Sequence, residues 1–292
     1  MHVLTLVAPQ AADALTPALV ARVAEAVRGG PPRILSPGEA AEIPVPAPPD
    51  PAAVHAALDA APVDAVVTPA EGRRKHLLIA DMDSTVVTTE TLDELAAYAG
   101  LQERVAAITR RSMNGEIDFA AALRERVGLL RGLPLDALAR TWEQTAIMSG
   151  AAELVATMRA HGAVTALVSG GFTYFTSRVA AQLGFDVHRA NTLGDDGAAL
   201  TGRVGEPVLD RAAKLDTLRE LAEARGLGMD ECLAVGDGAN DLAMIRAAGL
   251  GVAFHAKPVV SAEAQARIEH CGLRALLFIQ GYTVNEIVGA PS

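Results

Sequence analysis

Apolar and polar positions follow two rhythms along this chain, a period of two near its start and a helix-strand alternation further on. His2-Val3-Leu4-Thr5-Leu6-Val7 alternates loosely, as a strand does. Leu15, Leu19, Val20, Val23 and Val27 then recur at helical spacing, and Gly29-Gly30 ends the run. Ile34-Leu35 and Ile43-Pro44-Val45 read as short strands, the second placed at a sheet edge by its proline. Val54 to Ala60 reads as a helix and Val63 to Thr68 as a closing strand. The order βαββαβ over residues 1–72 predicts a small α+β domain of ferredoxin-like type. Glu71 to Lys75 is a polar linker.

The rhythm changes at Leu77-Leu78-Ile79-Ala80, an unbroken apolar run of the kind buried on both faces of a parallel sheet. Residues 88–148 read as helical. Leu92, Leu95, Ala96 and Ala99 form one stripe, Val105 and Ile108 another, and Asp118 is placed to cap a helix from Phe119. A helical insertion of this kind hangs over the end of the first core strand and suits a cap, or lid. From Gly150 helices alternate with strands: Val164 to Val168, Cys232 to Val235, Leu250 to Phe254 and, last, Ala275 to Phe278. Val260 to Ala266 reads as a helix. Val187 to Leu193 and Ala199 to Val204 flank the turn Asp195-Asp196-Gly197 and read as a hairpin. The expected architecture is a doubly wound parallel α/β sheet built from residues 73–87 and 149–292, with residues 88–148 as a helical cap inserted after its first strand.

Composition narrows this picture. A chain of 292 residues that is 50% hydrophobic but only 3% aromatic favours Ala- and Leu-rich helices over an all-β fold. A formal net charge of −10 without a basic cluster argues against nucleic acid and against anionic membranes as partners. No apolar run approaches the length of a membrane span, and no leader-like segment opens the chain, so a cytoplasmic protein is expected. Cys232 and Cys271 stand far apart and predict neither a disulfide framework nor a zinc site.

The chemistry sits at strand ends. Asp81-Met82-Asp83-Ser84-Thr85 follows the first core strand and crowds two carboxylates, which calls for a cation, a shared proton or both. Read alone, it could also be an exposed acidic turn. Ser169-Gly170-Gly171 joins a strand to a helix and suits a phosphate, though a plain turn has the same composition. Lys214 heads a helix, against the macrodipole; by itself it reads better as a solvated lysine. Gly236-Asp237-Gly238-Ala239-Asn240-Asp241 is an oxygen-rich turn suited to Mg²⁺. In an α/β sheet all four face one crevice at the carboxyl ends of the strands.

Together these segments resemble the four motifs of the haloacid dehalogenase superfamily. Ser112-Met113-Asn114-Gly115-Glu116-Ile117-Asp118-Phe119, Leu123 to Val127, Ser169 to Thr173 and Phe254-His255-Ala256-Lys257-Pro258 further resemble the phosphoserine phosphatase family, over residues 76–281. The N-terminal unit resembles the ACT-like domains found ahead of some members. The resemblance implies hydrolysis of O-phospho-L-serine, the last step of serine biosynthesis, through an aspartyl-phosphate. It assigns Asp81 as nucleophile, Asp83 as acid and base, and Mg²⁺ to Asp81, Asp237 and the Asp83 carbonyl. Ser169, the Gly170 N–H, Lys214 and Asn240 would hold the phosphoryl group, with Asp241 in support. In the cap, Glu90 would take the substrate ammonium and Arg126 its carboxylate, beside Met113 and Phe119. The resemblance is compatible with a homodimer. Transfer of the phosphoryl group to another hydroxyl, or a non-enzymatic amino-acid sensor, are the competing readings.

Overall fold

A computed structural model describes residues 1–10, 12–113 and 116–289, and of Met113 the backbone alone. The chain opens with β1 (His2–Val7), α1 (Pro17–Ala26), β2 (Arg33–Ser36), β3 (Ala40–Val45), α2 (Pro51–Leu58) and β4 (Asp64–Pro69). These strands form an antiparallel sheet in the order β2-β3-β1-β4. Alternation decides what each face meets. Leu4, Leu6, Ala41 and Ile43 pack under α1 and α2, whereas Val7, Ala40 and Val66 join the core of the larger domain. Pro44 lies in an inner strand, not at the edge its ring suggested. β2 pairs no further along β3 than Glu42, so the missing Pro44 N–H breaks no ladder, and the Pro44 carbonyl accepts a hydrogen bond from Gly30.

The larger domain follows: β5 (Leu77–Ala80), a tight turn (Met82–Val86), α3 (Thr91–Tyr98), α4 (Gln102–Met113), α5 (Phe119–Leu129) and α6 (Asp136–Gln144). Then come α7 (Ala151–Ala160), β6 (Val164–Phe172), α8 (Thr173–Leu183), β7 (Val187–Asn191), β8 (Leu193–Asp195), β9 (Leu200–Val204) and α9 (Arg211–Arg225). β10 (Cys232–Gly236), α10 (Leu242–Ala247), β11 (Leu250–Phe254), α11 (Pro258–Ser261), β12 (Ala266–Ile268) and α12 (Ala275–Ile279) complete it. The main sheet is parallel, in the order β12-β11-β10-β5-β6-β7. Its central strand β5 is buried on both sides: Leu78 and Ala80 enter one hydrophobic cluster, Leu77 and Ile79 the other. That two-sided burial is why the strand reads as an unbroken apolar run.

Three expectations for the C-terminal half are corrected. Residues 275–278 belong to helix α12 rather than to a strand. They are 0–2% exposed, so the apolar run shows no periodicity that would distinguish the two, and β12 takes the last place in the sheet. The helix expected over Val260 to Ala266 is the single turn α11, with Ala266 already in β12. The first arm of the expected hairpin is split, with β7 in the main sheet and β8 pairing with β9.

The helices α3 to α6 stand over the carboxyl end of β5. Their two connections to the sheet run side by side, with Thr88 N–H bonded to the Ala146 carbonyl at 3.0 Å and Met148 N–H to the Val86 carbonyl at 2.9 Å. The return ends at Gly150, whose φ is +79° and whose missing Cβ lets the Arg274 backbone approach. Arg274 is buried there and its Nε lies 2.9 Å from Glu39, in the turn between β2 and β3. A second buried pair, Arg73 to Glu42 at 2.7 Å, and the Asp64 carboxylate, which accepts the N–H groups of Glu269, His270 and Cys271, fasten the two domains together. Among the described residues no helix is long and apolar enough to cross a membrane.

Candidate active site

The crevice is built where β5, β6 and β10 end and α9 begins. Asp81 follows β5, its N–H bonded to the Val235 carbonyl of β10 at 3.0 Å, so the neighbouring strand sets its position. It is 6% exposed. Asp81 Oδ1 accepts the Met82 N–H at 2.7 Å and lies 2.7 Å from Lys214 Nζ. Its other oxygen makes no hydrogen bond among the described residues. Asp83 (φ −65°, ψ 135°) and Ser84 (φ 56°, ψ 2°) then form a type II turn, with a serine where glycine is usual. This turn places Asp83 opposite the end of β6.

Three donors hold the Asp83 carboxylate. Its Oδ1 accepts from the Thr91 N–H at 2.8 Å and the Thr91 hydroxyl at 2.7 Å; its Oδ2 accepts from the Ser169 hydroxyl at 3.0 Å. Burial, then the negative charges of Glu90 and Asp81, push its pKa up to about 7 despite these donors. Its side chain therefore has little left for a cation, and its backbone carbonyl is what it can offer one. Asp237 accepts a hydrogen bond from Thr85 at 3.2 Å, and burial with Asp81 and Glu90 nearby raises it to about 6.

Lys214 is 1% exposed, not the solvated lysine that its residue type alone suggests. α9 starts at Arg211, capped by Asp210, so Lys214 falls in its first turn and points into the crevice. Its ammonium sits 2.7 Å from Asp81 and 2.5 Å from Asp241. Burial alone would lower its pKa; the two carboxylates reverse that and hold it above the ordinary lysine range. Asp241 also accepts the Gly238 N–H at 3.0 Å, and Asn240 folds back over Gly238, where a side chain would collide with its amide oxygen.

Carboxylate oxygens of Asp81, Asp237 and Asp241 lie within 4.8 Å of one another. Asp241 is committed to Lys214, while Asp81 and Asp237 retain lone pairs. The raised pKa values of Asp83 and Asp237 come first from burial and then from neighbouring carboxylates. Such a donor set of oxygens fits a hard divalent cation.

The cap closes the crevice from above. Glu90 accepts the Ser84 hydroxyl at 2.7 Å, and surrounding protein raises its pKa although it is accessible from the crevice. Arg126, half-buried on α5, is held by the Ala122 carbonyl at 3.4 Å and the Thr109 hydroxyl at 3.5 Å. It forms no ion pair among the described residues, although Asp93 and Glu90 are near enough to favour its charge against burial. Phe119 lies against Gly170, 3.1 Å from where a Cβ would stand. The Met113 side chain, with Asn114 and Gly115, lies outside the described residues.

Thr91 is a contributor to which sequence reasoning gives no role, whereas Ser84, Thr85 and Gly171 enter it only as members of their turns. Thr91 carries no signal, because its partner Asp83 is found only once the turn is folded. Gly171 has one: a Cβ there would stand 2.9 Å from Asp83 Oδ2 and 3.0 Å from Ser169 Oγ. Its backbone is outside the left-handed region, so alanine fits the main chain but not the site. Gly171→Ala is expected to leave thermal unfolding within a few degrees of wild type while lowering kcat about 100-fold, the scale of an ångström misplacement. Steady-state kinetics beside a melting curve checks it; unchanged kcat would mean that Asp83 need not stay where it is.

The family model for haloacid dehalogenase-like hydrolases matches residues 76–249. Phosphoserine phosphatase of Haemophilus influenzae is 46% identical over 201 residues, covering 69% of this chain and 64% of that one. The chain spans less than two thirds of the length of this and the other first-ranked curated relatives. A crystal structure of a haloacid dehalogenase family hydrolase from Salmonella enterica serovar Typhi superposes with a TM-score of 0.83 at 29% identity, covering 95% of this chain and 97% of that one. The unliganded structure of a probable phosphoserine phosphatase from Vibrio cholerae gives 0.80 at 34% identity, covering 98% and 88%.

Proposed function

Since the chain belongs to the haloacid dehalogenase-like hydrolases, we propose that it hydrolyses O-phospho-L-serine to L-serine and phosphate with Mg²⁺. The observation that carries this is the meeting of Asp81, Asp83, Ser169, Lys214 and Asp237 in one crevice, roofed by Glu90 and Arg126. The relative from Haemophilus influenzae bears the name of that activity.

In this reading Asp81 attacks phosphorus through its free oxygen, and the bond to the seryl oxygen breaks. Asp83 donates its proton to that oxygen. Its pKa near 7 makes both protonation states accessible at neutral pH. Asp83 then takes a proton from water as the water attacks the aspartyl-phosphate, breaking the bond to Asp81 and releasing phosphate. Ser169, the Gly170 N–H, Lys214 and Asn240 hold the phosphoryl oxygens, whose charge spreads in the transition state. Asp81, Asp237 and the Asp83 carbonyl would hold Mg²⁺, which when bound offsets the repulsion between a carboxylate and a phosphate dianion. Asp241 keeps Lys214 in place.

Glu90 pairs with the substrate ammonium and Arg126 with its carboxylate, for which a guanidinium has the matching fork. Phosphate release from L-phosphoserine with Mg²⁺, compared with phosphoethanolamine, tests the substrate and the assignment of Arg126. Phosphoethanolamine keeps the ammonium and lacks the carboxylate. Arg126→Ala is expected to raise KM for phosphoserine about 10- to 100-fold and to leave phosphoethanolamine nearly unchanged. A wild type inactive on phosphoserine rejects the substrate; equal effects on both esters reject the role of Arg126.

A further inference from the structure

Asn191 ends β7, is 2% exposed, and is no part of the crevice wall. Its side chain nonetheless reaches two segments that build the crevice. Nδ2 donates to the Gly170 carbonyl at 2.9 Å and to the Leu209 carbonyl at 3.2 Å. Oδ1 accepts the Leu209 N–H at 2.7 Å. The orientation of the amide is fixed by its partners, because the reverse would set an oxygen against two carbonyls.

The first contact holds one particular peptide. A carbonyl and the N–H that follows it lie in one rigid plane and point opposite ways. With the Gly170 carbonyl held by Asn191, the Gly171 N–H is aimed at Ser169 Oγ, which it meets at 2.8 Å. That hydroxyl, its acceptor side thus occupied, donates its own hydrogen to Asp83 Oδ2 at 3.0 Å. The second contact clamps the backbone of Leu209, next to Asp210, the residue that caps the helix carrying Lys214. One buried amide therefore ties the Ser169–Asp83 side of the crevice to the Lys214–Asp81 side.

We propose that Asn191 is a positioning residue for phosphoryl transfer, setting the Gly170–Gly171 peptide and the approach to Lys214 in register with each other. The kinetic consequence rests on the phosphatase reading above; the structural consequence does not. A phosphoryl group would be gripped by both sides at once, so a loss of register weakens phosphate binding and, above all, the transition state. The amino-acid part of the substrate, held in the cap, is untouched.

The test uses the full chain and two variants. Asn191→Asp keeps the shape and the acceptor for Leu209 but sets a carboxylate against two carbonyls; Asn191→Ser is smaller and uncharged, and keeps the question answerable if the first does not fold. The expected result is a fall in kcat of about 100-fold on both phosphoserine and para-nitrophenyl phosphate, with KM for phosphoserine changed only a few-fold. The inhibition constant of inorganic phosphate should rise about tenfold, a shift that a smaller folded fraction cannot produce. Amide exchange measured by NMR should quicken at Gly171 while the β10 amides keep their protection. Wild-type kcat, phosphate inhibition and Gly171 protection in a folded variant would overturn the proposal. If the wild type hydrolyses neither ester, the phosphatase reading fails, and the exchange rate at Gly171 alone decides for or against the positioning role.

Discussion

Asp81→Asn is expected to abolish hydrolysis, with a loss on the order of 10⁴-fold or more, while the protein stays folded. The substitution keeps the shape of the side chain, and the main-chain bond from Asp81 to Val235 is unaffected. What disappears is the attacking oxygen and one negative charge. Lys214 is not stranded by this, because Asp241 remains 2.5 Å away and still balances the ammonium. The unfolding midpoint should therefore move by only a few degrees. Two measurements check the result. Single-turnover kinetics on phosphoserine with Mg²⁺ should show no burst, and mass spectrometry of acid-quenched protein should find a phosphoryl adduct in the wild type and none in the variant. Activity within tenfold of wild type would remove Asp81 from the reaction.

Much of this site is legible in the sequence because the fold places it at strand ends. A four-residue apolar run followed by two aspartates marks both the strand and its reactive end, and the same holds for Ser169 in the last half of β6 and Asp237 after β10. Lys214 is readable as part of that set, but its burial is not. A lysine at 1% exposure needs two carboxylates to hold it, and these come from residues 81 and 241, distant in sequence. Thr91 and Asn191 are harder still. Each acts by hydrogen bonding to a group that only the folded chain brings near, and neither lies in a pattern of its own. The error at α12 has another origin: a segment buried on every side loses the contrast between polar and apolar positions from which periodicity is read.

Lys214→Met should have the largest effect on stability. In the wild type the ammonium separates Asp81 from Asp241, at 2.7 and 2.5 Å. Methionine fills most of the space but leaves two buried carboxylates without their cation. Breaking a buried pair from one side costs about 3–5 kcal/mol, and that is the expected loss at pH 7 in chelated protein. Its dependence on pH distinguishes this cause from poor packing. In the wild type the Lys214 pKa lies above the ordinary lysine value of 10.5, so its contribution is complete below that value and constant across the acidic and neutral range. In the variant Asp241, which burial and then the charge of Asp81 already push up in the wild type, loses its cation. The destabilisation grows as pH rises and Asp241 ionises, and is relieved by protonation as pH falls. The gap between the two proteins should therefore narrow from pH 7 towards pH 5. Mg²⁺ should also stabilise the variant more than the wild type, since a divalent cation can take over part of the charge that Lys214 balanced. Denaturant unfolding at several pH values, with and without Mg²⁺, checks both. A gap independent of pH and of Mg²⁺ would assign the loss to packing and remove the electrostatic role derived for Lys214.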